Sequence, residues 1–528
     1  MYTPKAKSCT VFCVSEKEQE KIEELYRKYE EECVSFIPSE LSFFLYDPEK
    51  RFYFAVRDII GLSPLYYTIT KKKFFFSDNI GALFQESGIT KVPNLQTMRN
   101  IIYQRTIPYD ATMYKNVKRL PPGHYMKASE DGKYVIVRYW KPDTIKINYK
   151  IDELEARERF LALFDRAIFD RIDDLETTGF ELSGGLDSSS IVAWVKHKRP
   201  NEKITAISMN FKSMKHCNES EYIEAFQKHC HIDIQNINTD RIDYRNKYSL
   251  ENNYKLNPYW PIFITYTMGF PLIEKAKELG IKTVLTGQGG DQVLSGNAFA
   301  LHEYFRHFRW IKLYNEIKNL PYPRRMIKNY ILFPLIGEKR LQLIKSLLGK
   351  THNQSTRSSN TINELADLYH GKSITFKFDL MEILHTTLSV LMESSYYRVA
   401  ETNFGIRFKH PYFDRELIEF MLSLPPSFKY SKGEFKVLLR NAMKGILPDE
   451  IRLRKNKAEF SEVLRQQINA LDLDSLLENA YLARLGLIEQ EKLNNYKQAY
   501  LSSKMDRIVY FWQLINLEYW YRYNFIEH

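Results

Sequence analysis

The chain is expected to fold as an α/β protein in two parts. A β-rich N-terminal domain spans residues 1–146, and a doubly wound parallel-sheet domain spans 150–528 and ends in a largely helical part. Three observations predict this. Residues 1 to about 145 carry short aromatic strands with hairpin turns. From about 150, helices alternate with short apolar strands, the βαβα rhythm of a parallel sheet. Two of those strands run into glycine-rich loops that carry a carboxylate, which places a ligand at the strands' carboxyl ends.

In chain order, Glu16 to Glu32 reads as a charged helix within residues 15–33. Ser42-Phe43-Phe44-Leu45-Tyr46 and Phe52-Tyr53-Phe54-Ala55-Val56 flank Asp47-Pro48-Glu49-Lys50-Arg51, a hairpin signal. Lys141-Pro142-Asp143 closes the first domain. Glu153–Arg171 then reads as an amphipathic helix, Lys203–Met209 as a strand and Glu219–His229 as a helix. Pro271–Leu279 is a further helix and Ile281–Thr286 a further strand. The remainder, from about 297, reads as mainly helical, with a surface loop over residues 351–363, rich in Ser, Thr and Asn.

Bulk properties narrow the class. A length of 528 residues allows two to four domains, and 44 % hydrophobic residues is enough for real cores. No stretch approaches the roughly 18 consecutive apolar residues of a membrane span, and the N-terminus lacks the apolar core and cleavage site of a signal peptide. A cytoplasmic protein without stable membrane insertion is expected. Five cysteines without a C-x-x-C pair point to reduced thiols rather than a disulfide framework or structural zinc. The net charge of +11 is concentrated: residues 301–350 hold eleven Lys or Arg against three Glu, with aromatic residues interleaved. Solvated helix faces are the ordinary explanation of such a segment. Binding of an acidic peptide or partner is the functional one, and nucleic acid is not expected.

The run Phe180-Glu181-Leu182-Ser183-Gly184-Gly185-Leu186-Asp187-Ser188-Ser189-Ser190 carries the chemistry. It reads as a strand, a small-residue loop and a helix start. The paired glycines allow close approach and positive φ. Serine hydroxyls and free helix N–H groups then converge on an anion. This is a pyrophosphate cradle, and Asp187 at its edge is placed to hold Mg²⁺ on the phosphates. The Walker pattern G-x-x-x-x-G-K-S/T is absent. A second glycine-rich loop, Thr286-Gly287-Gln288-Gly289-Gly290-Asp291, supplies another carboxylate, so Asp187 and Asp291 form the expected metal pair.

The cradle resembles the pyrophosphate loop of the ATP-pyrophosphatases. With the second loop, His410-Pro411-Tyr412-Phe413-Asp414, Lys436-Val437-Leu438-Leu439-Arg440, Leu447-Pro448 and Arg454-Lys455-Asn456-Lys457-Ala458-Glu459-Phe460, the chain resembles the synthetase domain of asparagine synthetases. Arg57-Asp58, Gly61, Pro64-Leu65-Tyr66-Tyr67 and Leu120-Pro121-Pro122-Gly123-His124 are similar to that family's glutaminase domain, of Ntn type. Glutamine-dependent members begin Met-Cys, whereas Tyr2 stands here, and the Arg-Gly-Pro-Asp and Asn-Gly-Glu stretches are missing. The first domain is therefore expected to be a truncated, inactive glutaminase-like domain.

An adenylating domain without an ammonia source needs another amine. The Gly287–Asp291 loop, Gly405-Ile406-Arg407-Phe408-Lys409-His410-Pro411 and the Arg454–Lys457–Phe460 spacing look like lasso peptide cyclases. These join the N-terminal amine of a precursor peptide to an Asp or Glu side chain. The resemblance implies an ATP-dependent macrolactam synthetase releasing AMP and pyrophosphate, with a precursor peptide as substrate and a leader-binding protein and a leader peptidase as partners. It implies that Leu182, Ser183, Gly184, Gly185, Asp187, Ser188, Ser189, Met209 and Gly287 hold ATP and that Gln288 positions substrate. Lys457 and Lys436 are the expected catalytic lysines, neutralising charge on phosphate and oxyanion. The alternative is an ammonia- or amine-dependent amide ligase for a small acid. A non-catalytic scaffold and a nucleic-acid-binding pyrophosphatase are weaker rivals. For the general base, His385, Glu382 and Glu393 are candidates by position only.

Overall fold

The computed structural model describes residues 10–12, 16–38, 40–105, 107–240, 242–261, 266–296, 300–318, 322–332, 396–456, 458–502 and 507–527. The N-terminal part comprises β1 (Thr10–Phe12), α1 (Glu16–Tyr29), β2 (Phe43–Asp47), β3 (Phe52–Val56), β4 (Tyr66–Thr70), β5 (Lys73–Ser77), α2 (Ile80–Ser87), α3 (Leu95–Ile102), β6 (Lys118–Arg119), β7 (His124–Ser129) and β8 (Tyr134–Arg138). These strands form an antiparallel five-stranded sheet, β1-β2-β3-β7-β8, and a three-stranded sheet, β5-β4-β6.

Period-two alternation builds the layers. Phe43, Leu45, Phe54 and Val56 point to α1, where Ile22 and Tyr26 meet them. Ala55, Met126 and Ala128 face the other way, onto Tyr67, Phe74 and Phe76 of the small sheet. The hairpin closes because Asp47 accepts hydrogen bonds from the backbone N–H groups of Glu49 and Lys50, both at 3.0 Å.

The second part opens with α4 (Glu153–Phe169), whose Asp152 cap accepts from Glu155 N at 2.8 Å. It continues through β9 (Thr178–Glu181), α5 (Leu186–Lys198), β10 (Thr205–Asn210), α6 (Ser220–Cys230), β11 (Ile234–Asn238), α7 (Leu250–Leu256), α8 (Tyr266–Glu278), β12 (Thr283–Leu285), α9 (Gly290–Leu294) and β13 (Arg407–Lys409). The five strands are parallel in the order β11-β10-β9-β12-β13. Chain order therefore reverses between β9 and β12, the switch point at which doubly wound sheets bind ligands. Phe180, Ala206 and Leu285 face α4 and α5. Ile207, Val284 and Phe408 face α8 and the long C-terminal helix Ile508–Phe525.

The sequence expectations need three corrections. The helix expected from Pro271 begins earlier, at Tyr266, with Pro271 inside it; proline's preference for the first helical position misplaced the start. The stretch from 297, read as mainly helical, contributes the fifth strand β13 and a small hairpin, Tyr430–Ser431 with Glu434–Phe435. Strands of two or three residues leave no periodic signal. Third, the paired glycines of the cradle do not have positive φ. The loop over 351–363, His385, Glu382 and Glu393, and residues 319–321 and 333–350 of the basic segment, lie outside the described residues.

The two parts are joined by buried charge. Arg171 lies 2.7 Å from Glu40 and 3.4 Å from Asp414, with all three side chains no more than 18 % exposed. Burial opposes the Glu40 charge, but the neighbouring Arg171 and Lys409 cations outweigh it and hold its carboxyl below the usual range. Trp140 Nε1 donates to Glu419 at 3.0 Å, and Tyr114 Oη donates to Asn524 at 2.9 Å. Replacing Arg171 by alanine leaves Glu40 and Asp414 without this cation. The expected cost is about 3–5 kcal/mol, read as a lower denaturant midpoint, and Glu40→Gln in the same background should recover part of it.

Candidate active site

The cradle forms because β9 ends at Glu181 and α5 starts five residues later with Gly185 as its N-cap, without a side-chain cap bond. The amides opening α5 are thus left for a ligand. Serines fix the loop. Ser183 N donates to Ser188 Oγ at 3.0 Å, the Ser183 and Ser188 hydroxyls are 3.0 Å apart, and Ser189 Oγ donates to Ser183 O at 2.9 Å. The glycine requirement is one of room: a Cβ on Gly184 would lie 2.8 Å from Tyr222 Cβ. Leu182 N donates to Ile207 O at 2.9 Å, and Met209 lies near the carboxyl end of β10. Leu182, Met209 and Gly287 thus sit around the ends of three adjacent strands.

The loop after β12 packs directly on this one. A Cβ on Gly287 would fall 2.6 Å from Ser188 N, and one on Gly290 would fall 2.3 Å from Asp187 Cγ. Glycine at both positions lets Asp187 and Asp291 meet. Lys436 Nζ donates to Asp187 Oδ2 and to Asp291 Oδ1, each at 2.6 Å. Burial disfavours the ammonium, but the two carboxylates outweigh it and raise the lysine pKa. Lys436 adopts φ +59°, a left-handed conformation that costs a non-glycine residue roughly 1–2 kcal/mol, so its placement is held by the two acids. Tyr412 Oη donates to Asp187 O at 2.9 Å. Gln288 N donates to Thr286 Oγ1 at 3.1 Å.

Lys457 lies outside the described residues. Arg454, which entered the sequence reading only through its spacing, reaches the cradle: Nη1 donates to Gly184 O at 2.8 Å, the guanidinium pairs with Glu219, and it lies 3.9 Å from the Tyr222 ring centroid. Glu181 was also missed, although a lone acid in an apolar strand just before the loop was a visible signal. In the N-terminal part, Arg57 and Asp58 serve the fold. Asp58 accepts from the N–H groups of Ile60, Gly61, Leu62 and Ser63, and Arg57 donates to Leu120 O and Gly61 O.

The asparagine synthase family profile matches residues 159–522, which include both loops and Lys436. The chain belongs to the asparagine synthase family. A glutamine amidotransferase domain profile matches residues 7–140. The chain is 23 % identical to asparagine synthetase [glutamine-hydrolyzing] 1 of Bacillus subtilis, over 93 % of this chain and 80 % of that protein. It is 22 % identical to asparagine synthetase [glutamine-hydrolyzing] 3 of the same organism, over 87 % and 75 %. It is 24 % identical to amidase chyE of Penicillium rubens, over 81 % and 70 %. The protein is an asparagine synthetase-like, ATP-dependent amide-forming ligase. The family uses ATP and Mg²⁺, and the donor set fits: two hard carboxylates beside a helix N-terminus, leaving phosphate oxygens and water to complete a Mg²⁺ shell.

Three outcomes are expected. Gly287→Ala should push the loops apart and cost about 10²-fold in pyrophosphate release, with the fold intact by circular dichroism. Lys436→Ala should lower stability by about 3 kcal/mol, the low end for a buried pair because Asp291 is 46 % exposed. Mg²⁺ should raise the denaturation midpoint of Lys436→Ala more than that of the parent chain.

Proposed function

We propose that this enzyme is a lasso peptide cyclase. It adenylates an Asp or Glu side chain of a precursor peptide and joins the acyl group to the peptide's own N-terminal amine, releasing AMP and pyrophosphate. The observation that carries the reading is the cradle packed against the second carboxylate loop and Lys436, beside an N-terminal domain whose sequence lacks the Arg-Gly-Pro-Asp and Asn-Gly-Glu stretches. The one cysteine of that domain among the described residues, Cys33, is fully buried, and burial pushes its thiol up to about 12. Such a thiol is no nucleophile at neutral pH.

The substrate carboxylate attacks the α-phosphorus and displaces pyrophosphate. The α5 amides and the hydroxyls of Ser183 and Ser188 bind the departing phosphates, and Lys436 offsets their charge; Ser189, expected to hold ATP, is fully buried and instead donates its hydroxyl proton to Ser183 O, fixing the loop. Asp187 and Asp291 would hold Mg²⁺, which supplies charge neutralisation on the pyrophosphate. Lys457 is assigned to the oxyanion of the amide-forming step. Holding amine and acyl group together is worth on the order of 7–11 kcal/mol. A precursor of about fifteen residues loses roughly 15–30 kcal/mol of backbone entropy when pre-folded, so much of the binding surface must serve the peptide. A leader-binding protein and a leader peptidase are the proposed partners. The curated relatives named as asparagine synthetases favour a second reading, an ammonia- or amine-dependent ligase for a small acid.

The test is release of pyrophosphate and AMP from Mg·ATP with leaderless peptides bearing N-terminal Gly or Ala and an acid several residues along, read by mass spectrometry. A product lighter by one water, absent with Asp187→Ala and Lys457→Ala, is expected. AMP formed from aspartate and ammonia, with no dehydrated peptide, would replace this reading with the small-acid ligase.

A further inference from the structure

One half-buried acid at the site has no part in the chemistry above. Glu181 is the last residue of β9 and directly precedes Leu182 and Ser183 of the cradle. The register shows what lies beside it. Leu285 pairs with both Phe180 and Lys409, so the next residues along the three strands, Glu181, Thr286 and His410, form one row at the carboxyl edge of the sheet. Residues in register on parallel strands share a face, and the Thr286 Oγ1 to His410 Nδ1 separation of 2.9 Å fits this. The face is opposite to Phe180 and Leu285, which pack on the α5 side.

Facing Glu181 from the helix Tyr396–Val399 are Tyr396 and Tyr397, both of which feel its charge, and the Tyr397 ring lies 4.9 Å from that of His410. Burial alone pushes the Glu181 carboxyl up to about 7. His410, one strand further on, is pushed down to about 4, first by its burial, and is neutral at physiological pH. Tyr397 and His410 also line a cavity of about 350 Å³ between the two domains, whose wall includes Glu18, Glu40, Asp78 and Arg398. The row thus lies beneath both ATP loops at the edge of an interdomain space. A carboxylate here repels phosphate and the substrate acid. The reactant of opposite charge is the protonated amine.

We propose that Glu181 receives the substrate amine and takes its proton as the amide forms. This rests on the amide-forming reading above but not on which acid is activated. The bound ammonium first gives one proton to a Glu181 carboxylate oxygen, which frees the nitrogen lone pair. The amine nitrogen then attacks the acyl carbon, the new C–N bond forms, and the C–O bond to AMP breaks. AMP leaves with that electron pair, the second nitrogen proton, acidic once the C–N bond has formed, is lost to water, and Glu181 later passes its own proton to water. A carboxyl raised in this way is a stronger base than an ordinary one, yet stays substantially ionised near neutrality.

The experiment compares Glu181→Gln and Glu181→Asp with the parent chain, using an acid that supports ATP–pyrophosphate exchange in the parent, either a leaderless peptide or free aspartate. Three readouts are taken: exchange, hydroxamate formation with hydroxylamine, and amide formation with the peptide's own amine or ammonium across pH 5–9. Glu181→Gln should keep exchange and hydroxamate formation within about twofold, because hydroxylamine is already uncharged. It should lose amide formation by about 10²–10⁴-fold, together with the rise in rate near pH 7. Glu181→Asp should restore part of the rate with that rise displaced. Amide formation by Glu181→Gln at the parent rate with an unchanged pH profile would overturn the proposal. So would parallel loss of exchange and amide formation in both variants, which would make Glu181 a residue of the fold. If the parent chain shows no exchange with any acid, the amide-forming reading itself fails, and the proposal with it.

Discussion

The site depends on one contact between two loops. β9 and β12 are neighbours only because the sheet reverses its winding there, and their loops come within reach only because Gly287 and Gly290 bring no side chain to Ser188 and Asp187. Two carboxylates from segments about a hundred residues apart then share one ammonium, that of Lys436. Without the lysine the two acids repel each other across the loop contact. Without the acids the lysine is a charge buried without compensation in a conformation it otherwise avoids. The pair of loops and Lys436 therefore stand or fall together, and the phosphate-binding geometry with them.

A second buried charge cluster does for the domains what Lys436 does for the loops. Arg171 follows the end of α4, Glu40 belongs to the N-terminal part, and Asp414 caps the helix Arg415–Ser423. Glu40 also accepts from His410 N at 3.3 Å, so the N-terminal domain reaches the strand β13 whose residues border the site. The signature pair Arg57 and Asp58 works on the same side, by holding a turn rather than by handling substrate. What the N-terminal domain contributes in this structure is a wall and an anchor.

The cradle was legible in the sequence because it is local: its strand, loop and helix start are contiguous, and the serine bonds stay within seven residues. The partnership of Asp187 with Asp291 was legible from a second loop of the same kind. Lys436 was named from a motif, but its bridging position was not, since nothing local encodes a left-handed lysine reaching two distant acids. The strand β13, at three residues, carries no period to read. Arg454 was noted for its spacing, whereas its contact with Gly184 O depends on packing against Tyr222. Position along the chain drew attention to His385, Glu382 and Glu393, while the acid at the carboxyl edge of the central strand passed as part of an apolar run.

The sheet itself divides the chemistry by charge. On the α5 side, free helix amides, serine hydroxyls and Lys436 form a region suited to anions. At the other face of the same strand ends, Glu181 sits among tyrosines and a neutral histidine, in surroundings that no anion would favour. Amide formation from an acyl phosphate needs such a division. The activated acid and its leaving group are anionic, while the amine arrives as a cation and must lose a proton before it can attack. A single electropositive pocket would bind the first and exclude the second. With the two environments back to back across one strand end, the acyl carbon can lie between them, its phosphate on one side and the amine on the other.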